Sequence, residues 1–330
     1  MGTFAAVQCA DHAAAPQARD IAQTVFDELN ADLSVWKPDS PISAINRAAG
    51  TPDALPVSPA FTTVLRAALD TAARSDGAFN PLIGPVMRVW GFNGANARPA
   101  PPGPAELAEA LALTDWRSVA FTPTPTGATV RLPRAGMRLD LGAAAKGYAV
   151  DVAWQRLIAA GHTNLLVDLG GNLRALGEAA RGRGGWRTGV RNPFGDASAI
   201  LATFLLRSGE AVATSGNYER FVIINGIRHA HIMDGRTATP VTGIAGVTVT
   251  APDALTADIL STTLFILGPQ KGIELLRHHP GCEAVWIPDT PDRLTLIATP
   301  GLADRLTPIG PCERTTPVAP LSTFRFNASR

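Results

Sequence analysis

The run from Met137 to Gly171 constrains the fold most, because its hydrophobic period changes twice within one short stretch. Met137 to Leu141 is apolar and strand-like, and Gly142 to Ala145 is a turn of small residues. Val150, Ala153, Trp154, Leu157 and Ile158 then fall on one face of a helix that Gly161 ends. Leu165 to Leu169 is a second strand, closed by Gly170-Gly171. Elsewhere, Ile21, Val25, Phe26, Leu29 and Leu33 predict a helix over Ala15 to Leu33. Ser58-Pro59 is an N-cap followed by the helical position that tolerates proline, with Phe61, Val64, Leu65 and Ala68 as the buried face. Short strands are expected at Thr3–Cys9, Thr188–Val190, Ile200–Leu206, Phe221–Ile224 and Val247–Thr250, with a helix from Leu255 to Leu267 closed by Gly268. Gly94 to Pro104 reads as a surface loop. Strands and helices in this irregular order predict an α+β body rather than a doubly wound sheet. We expect one large mixed domain over 1–308 and a Pro/Thr/Ser-rich extended tail over 309–330.

Composition narrows the function classes. Hydrophobic residues are 46% of the 330 and charged residues 17%, which places the chain with folded proteins rather than disordered ones. A formal charge of +1 and the lack of any Lys/Arg run disfavour a nucleic-acid partner. Cys9, Cys282 and Cys312 are too few and too scattered for a disulfide framework or a Cys-x-x-Cys site. No transmembrane segment is expected, since no stretch of eighteen apolar residues occurs. Met1 to Asp11 lacks the charged start and apolar stretch of a secretory signal, so the expected compartment is the cytoplasm. A removed leader would instead make the chain exported or membrane-attached.

Three segments carry residues suited to chemistry. On a helix, Asp258, Ser261 and Thr262 share a face and offer the hard oxygens that magnesium prefers. Equally, Asp258 is suited to a solvated position near a helix N-terminus, with the hydroxyls bonding back to the helix. Gly142 to Lys146, a strand-to-helix turn, presents main-chain N–H groups and a cation to an anion, or is simply a tight turn with a surface lysine. Its spacing is neither a Walker loop nor Gly-x-Gly-x-x-Gly. His229 and His231 alternate in a strand, so a metal pair, a general base oriented by Asp234, and a structural histidine all remain open.

Taken together and in order, these segments resemble the ApbE family of flavin transferases. Leu139–Asp151 is similar to that family's Asp-Leu-Gly-Gly-x-Ala-Lys-Gly-Tyr-Ala, and Leu166–Asn172 to its Leu-Gly-Gly-Asp strand end. Ala213–Phe221 resembles Ala-Thr-Ser-Gly-x-Tyr-Glu-Arg, and His231–Pro240 resembles His-Ile-x-Asp-Pro-Arg-Thr-Gly-x-Pro. Val247–Leu264 resembles Val-Thr-Val-x-Ala-x-x-Ala-x-Thr-Ala-Asp. Met1-Gly2-Thr3, Leu33–Asn46 and the Asp76–Pro81 segment running to Trp90-Gly91-Phe92 fit as well, so the likeness spans residues 1 to 308.

The resemblance implies an ApbE-like (T-fold-related) α+β domain that moves FMN from FAD onto a Thr or Ser hydroxyl of an acceptor flavoprotein and releases AMP. It implies Mg²⁺ held by the Ala145 carbonyl, Asp258 and Thr262, with Ser261 as a further neighbour. FAD, the substrate, would lie along Met1, Trp36, Ala78, Phe79, Asn80, Gly142, Lys146, Tyr148 and Ile232, with Trp36 suited to stacking on a flat heterocycle. His231 would take the acceptor's proton beside Asp234, and His229 lies outside the motif. The chain departs from the family pattern at Asn80 (usually Asp), Ala143 (Gly), Asn172 (Asp), Gly235 (Pro) and Ala238 (Gly). The same residues would serve an FAD pyrophosphatase with water as acceptor, whereas a non-catalytic FAD carrier would need no proton acceptor.

Overall fold

The structure is a computed structural model that describes residues 2–92, 100–196, 198–318 and 321–326. The chain forms two compact units, one of Asp27–Ala145 and Glu219–Val241, the other of Gly2–Phe26, Lys146–Tyr218 and the chain from Thr242 onward. Every described strand pair is antiparallel. The α+β expectation holds, and a doubly wound sheet is excluded. Among the described residues no helix is long and apolar enough to cross a membrane.

The second unit is built on a nine-stranded sheet. Its spatial order is Ala5–Cys9, Leu165–Leu169, Asn172–Leu176, Ala211–Gly216, Ile244–Ala251, Glu283–Pro288, Thr295–Ala298, Leu321–Phe326 and Cys312–Val318. Ile244–Ala251 is buried at every position, so both its faces carry small or β-branched residues. One face packs with Trp186, Val190, Leu201, Phe204 and Leu206 of the strands Trp186–Arg191 and Ile200–Leu206. The opposite face meets the helix Ala254–Leu276, whose Leu264 carbonyl accepts from the Trp286 indole at 3.1 Å. That helix kinks at Gly268 (φ 69°), followed by Pro269, where the sequence places its end.

Two expectations change. Met137 to Leu141 pairs with no strand; instead the Asn46 side chain accepts from Leu139 N–H at 2.7 Å and donates to its carbonyl at 2.9 Å. A buried amide satisfies the backbone where a neighbouring strand otherwise would. The expected tail, by contrast, contributes Cys312–Val318 and Leu321–Phe326 to one edge of the sheet, the latter pairing with Thr295–Ala298. The Gly94–Pro104 loop lies mostly outside the described residues.

The first unit combines helices Pro41–Arg47, Pro59–Arg74, Gly84–Val89 and Pro104–Ala112 with a three-stranded sheet of Leu55–Val57, Gly127–Arg131 and Ala120–Thr124. Ser58 caps Pro59–Arg74 as expected, accepting from Phe61 N–H at 3.0 Å. Two hairpins, Phe221–Ile224 with Ile227–Ala230 and Met233–Asp234 with Thr239–Pro240, pack on Val86, Met87, Trp90, Phe92 and Ala110.

Candidate active site

In the second unit, the helix Ala145–Ala159 begins beside the first turns of Ala254–Leu276. Gly147 makes this approach possible, since a Cβ there would stand 2.1 Å from the Ala254 carbonyl oxygen and 2.7 Å from Asp258 Cβ. Asp151 fixes the second helix in place. Its carboxylate accepts from Ala254 N–H (2.8 Å) and Leu255 N–H (2.9 Å) and pairs with Arg174 at 2.7 Å. Burial pushes the Asp151 carboxyl up, opposed by the Ala254 N–H, the Arg174 charge and the Leu255 N–H.

Asp258 is only 4% exposed, so it is not a solvated surface carboxylate. Gly147 N–H donates to Oδ2 at 2.9 Å, and Lys146 Nζ stands 3.2 Å from Oδ1. One turn further along the helix, the Ser215 hydroxyl bridges Ser261 (2.8 Å) and Thr262 (3.1 Å). Ser261 also donates to the Asp258 carbonyl at 2.9 Å, which makes it a brace of the helix, whereas Thr262 has no such bond within the turn. One buried carboxylate beside neutral hydroxyls is a hard-oxygen set of the kind that suits Mg²⁺. Among the described residues no group of three or more His, Cys, Asp or Glu side chains gathers, so a His/Cys transition-metal centre is not formed there.

The turn before Lys146 is less of an anion cradle than its sequence suggests. Gly142 N–H donates to Asp140 Oδ1 at 2.9 Å, and Ala144 and Ala145 N–H both donate to the Leu141 carbonyl. These three amides are engaged within the turn, and Lys146, its side chain 26% exposed, is a cation beside them. Tyr148 is partly exposed on the same helix.

In the first unit, Trp36 is 58% exposed, with the Arg220 guanidinium 5.5 Å from its ring centre. It borders an open cavity lined by Val35, Gly84, Arg138, Leu139 and Asp140. Ala78, Phe79, Asn80 and Ile232 are all buried. Asn80 accepts from Leu82 N–H and donates to the Thr114 carbonyl, each at 2.9 Å. The aspartate usual in the family could not make the second bond as a carboxylate. Gly235 N–H donates to the Ala78 carbonyl at 3.1 Å, a bond that proline would lose. Met1 lies outside the described residues.

His231 Nδ1 sits 3.0 Å from the Arg220 carbonyl oxygen. A carbonyl only accepts, so Nδ1 carries the proton and the basic lone pair is on Nε2. Asp234 does not hold Nδ1, contrary to the role expected of it. Its two carboxylate oxygens grip Arg236 at 2.9 and 2.6 Å, and this pairing pulls the Arg236 guanidinium pKa up. The His229 ring lies against Trp90, centroids 5.1 Å apart and planes tilted by 43°.

Ser215, Asp151 and Arg220 lie within the segments that resemble the family, yet no local pattern in the sequence marks what they do. Ser215 is adjacent to Thr214, and only the strand register tells which of the two faces the helix; Thr214 instead bonds Thr248 on the opposite face at 2.8 Å.

A mixed antiparallel α+β fold with a lysine-glycine helix start against a buried Asp/Ser/Thr oxygen cluster defines the class. Residues 1–286 match the model of the ApbE family, and the chain belongs to that family. It is 38% identical over 296 residues to an FAD:protein FMN transferase of Treponema pallidum, covering 86% of this chain and 79% of that protein. A Klebsiella pneumoniae FAD:protein FMN transferase is 35% identical over 271 residues, covering 81% and 80%. Among solved structures, the flavin transferase ApbE from Vibrio cholerae superposes with a TM-score of 0.77 at 27% identity over 92% of this chain and 96% of that one. The ApbE protein from Thermotoga maritima gives 0.71 at 33% identity over 82% and 87%.

Proposed function

We propose that this protein transfers FMN from FAD to a Thr or Ser hydroxyl of an acceptor protein, releases AMP and requires Mg²⁺. The observation that carries the reading is the buried Asp258 carboxylate, joined to Lys146 and Gly147 and neighboured by Thr262 and Ser215. The relatives' shared name supports the substrate and product.

The acceptor oxygen attacks the phosphorus that bears FMN. A P–O bond forms to the acceptor, the pyrophosphate P–O bond breaks, and AMP leaves with the electron pair. His231 Nε2 takes the hydroxyl proton, its ring held by the Arg220 carbonyl. Asp258, Thr262 and the Ala145 carbonyl would hold Mg²⁺, which when bound would neutralise the charge that builds on the phosphate oxygens. Lys146 adds a second positive charge, Gly147 orients Asp258, and Ser215 orients Thr262. Trp36 stacks on the flavin, and Ala78, Phe79, Asn80, Gly142, Tyr148 and Ile232 shape its surroundings. Asp234 acts at a distance, by locking the hairpin that follows His231 through Arg236.

Incubation with FAD, Mg²⁺ and an FMN-free acceptor protein, followed by intact mass, tests the reading. The acceptor should gain one FMN. Release of FMN and AMP with unmodified acceptor would instead define a hydrolase, and no turnover at all a binding protein. His231→Asn should slow transfer by about 10²–10⁴-fold with FAD affinity retained, and His229→Asn should be mild.

A further inference from the structure

The elements that carry Lys146, Asp258, Thr262 and Ser215 are joined a second time, away from those side chains, by one buried ion pair. Asp151 follows Gly147 by four residues on the helix Ala145–Ala159, and Asp258 follows Ala254 by four on Ala254–Leu276. Residues so spaced share a helix face, about 6 Å apart along the axis. The two helices therefore meet at two rungs. At one, Gly147 N–H donates to Asp258 Oδ2 at 2.9 Å; at the other, Ala254 and Leu255 N–H donate to the Asp151 carboxylate at 2.8 and 2.9 Å. The N–H groups of a first helical turn have no partner within their own helix, so Asp151 caps the Asp258 helix from outside it.

Arg174, on the strand Asn172–Leu176, extends the second rung to the sheet. Its guanidinium donates to Asp151 Oδ1 at 2.7 Å, to the Pro252 carbonyl at 3.0 Å and to the Gly209 carbonyl at 3.3 Å, and lies 3.9 Å from the Trp154 ring centre. The Arg174 and Asp151 side chains are 12% and 9% exposed. Arg174 pairs across the sheet with Ala211, which opens the strand that carries Ser215. One guanidinium thus ties together the helix of Lys146 and Gly147, the lead into the helix of Asp258 and Thr262, and the strand of Ser215. Apolar residues anchor a helix at least as well as a buried ion pair does, so anchorage alone does not call for one. A fixed fork between a carboxylate and two carbonyls sets geometry instead. We propose that Asp151 and Arg174 are positioning residues of the metal site, setting the helix register that brings Asp258, Thr262 and Ser215 together without supplying a ligand. This rests on the reading of that cluster as the Mg²⁺ site.

The test is calorimetric titration of Mg²⁺ into the full chain loaded with FAD, at a temperature where every variant is folded. Asp151→Asn keeps an acceptor for the helix N–H groups, and Arg174→Lys keeps the charge but loses the fork. Each should weaken Mg²⁺ binding about 10–100-fold, the usual cost of losing a group that orients a metal ligand. FAD affinity measured without Mg²⁺ should stay at the wild-type value. Transfer should need correspondingly more Mg²⁺, with kcat recovering at saturating Mg²⁺. Val190→Ala, which destabilises from the opposite face of the sheet, is the control and should keep wild-type Mg²⁺ affinity. Asp151→Asn/Arg174→Gln, which leaves no unpaired charge, stands in for a single variant that does not fold. Unchanged Mg²⁺ affinity with a lowered melting temperature overturns the proposal and leaves the pair a helix brace. So does an equal weakening in Val190→Ala, which marks a general effect of stability. A wild-type chain that takes up no Mg²⁺ sinks the metal reading itself, whereas wild-type uptake with unaffected variants sinks the positioning role alone.

Discussion

Ala238 adopts φ 57° with its side chain fully buried, at the position where the family pattern carries glycine. The left-handed conformation costs an L-residue about 1–2 kcal/mol, and the turn keeps it because Ala238 N–H donates to the Asp234 carbonyl while its own carbonyl accepts from Trp90. Ala238→Gly relieves that strain and loses a methyl worth about 0.8 kcal/mol. The substitution should therefore be neutral or stabilising by up to about 1 kcal/mol. Ala153→Gly, equally buried but mid-helix, should cost about 2 kcal/mol, and urea midpoints of the two variants give the comparison. Asp168 allows a pH test. Burial pushes its carboxyl up, and the Gly171 N–H at 2.9 Å offsets only part of that. The folded state thus binds the proton more readily than the unfolded state. Between the ordinary carboxylate value and the raised one, stability falls as pH rises. Asp168→Asn keeps an acceptor for Gly171 and should be more stable than wild type at neutral pH, with the advantage vanishing below the carboxylate range. Equal stability curves across pH would show that Asp168 carries no burial penalty. At this scale the sequence identified Asp258, Thr262 and His231 by matching blocks, and it marked Ala238, Asn80 and Gly235 as departures. It did not show that Asn80 spans two main-chain partners or that Arg220 holds the histidine, because the first needs the Thr114 carbonyl to come back to Asn80 and the second needs the register of the hairpin between Arg220 and His231.

Helices and strands were legible wherever the signal is local. Ala15–Leu33, Leu165–Leu169, Ile200–Leu206 and Phe221–Ile224 fall where the hydrophobic period puts them. Met137–Leu141 was misread because an apolar run says nothing of whether a strand or an asparagine side chain meets its backbone. The contact of Ala145–Ala159 with Ala254–Leu276 was not legible either, although its cause, Gly147, stands inside the best-matching block. A methyl group there has no flexible atom to displace, since its neighbours are the Ala254 carbonyl and Asp258 Cβ. Gly147→Ala should therefore cost about 1–3 kcal/mol and move Asp258 away from the Gly147 N–H. Magnesium affinity, read by titration, should fall together with stability. A variant of wild-type stability with weakened metal binding would instead place Gly147 in direct contact with the ligand sphere.

On the scale of the whole molecule, the nine-stranded sheet joins Ala5–Cys9 to Leu165–Leu169 and closes with the strands beyond Ile309. Order along the chain does not encode such pairings, which is why the Pro/Thr/Ser-rich end read as a tail while the α+β class read correctly. Ligand binding should propagate to this whole. A ligand that binds only the folded state stabilises it by about 2.7 kcal/mol at one hundred times its Kd. Mg²⁺ with FAD should accordingly raise the melting temperature of the wild-type protein more than FAD alone. The decisive variant is Asp258→Asn rather than Asp258→Ala, because the buried Gly147 N–H and Lys146 ammonium both point at this side chain. Alanine would leave the Gly147 N–H unsatisfied and confuse a folding defect with a metal defect, whereas the asparagine oxygen still accepts from Gly147. Asp258→Asn should keep a cooperative transition and keep the increment due to FAD alone, yet lose the further increment from Mg²⁺. If the variant still gains as much from Mg²⁺ as the wild type does, the metal is held elsewhere, and the Asp258, Thr262 and Ser215 cluster is a helix anchor rather than a metal site.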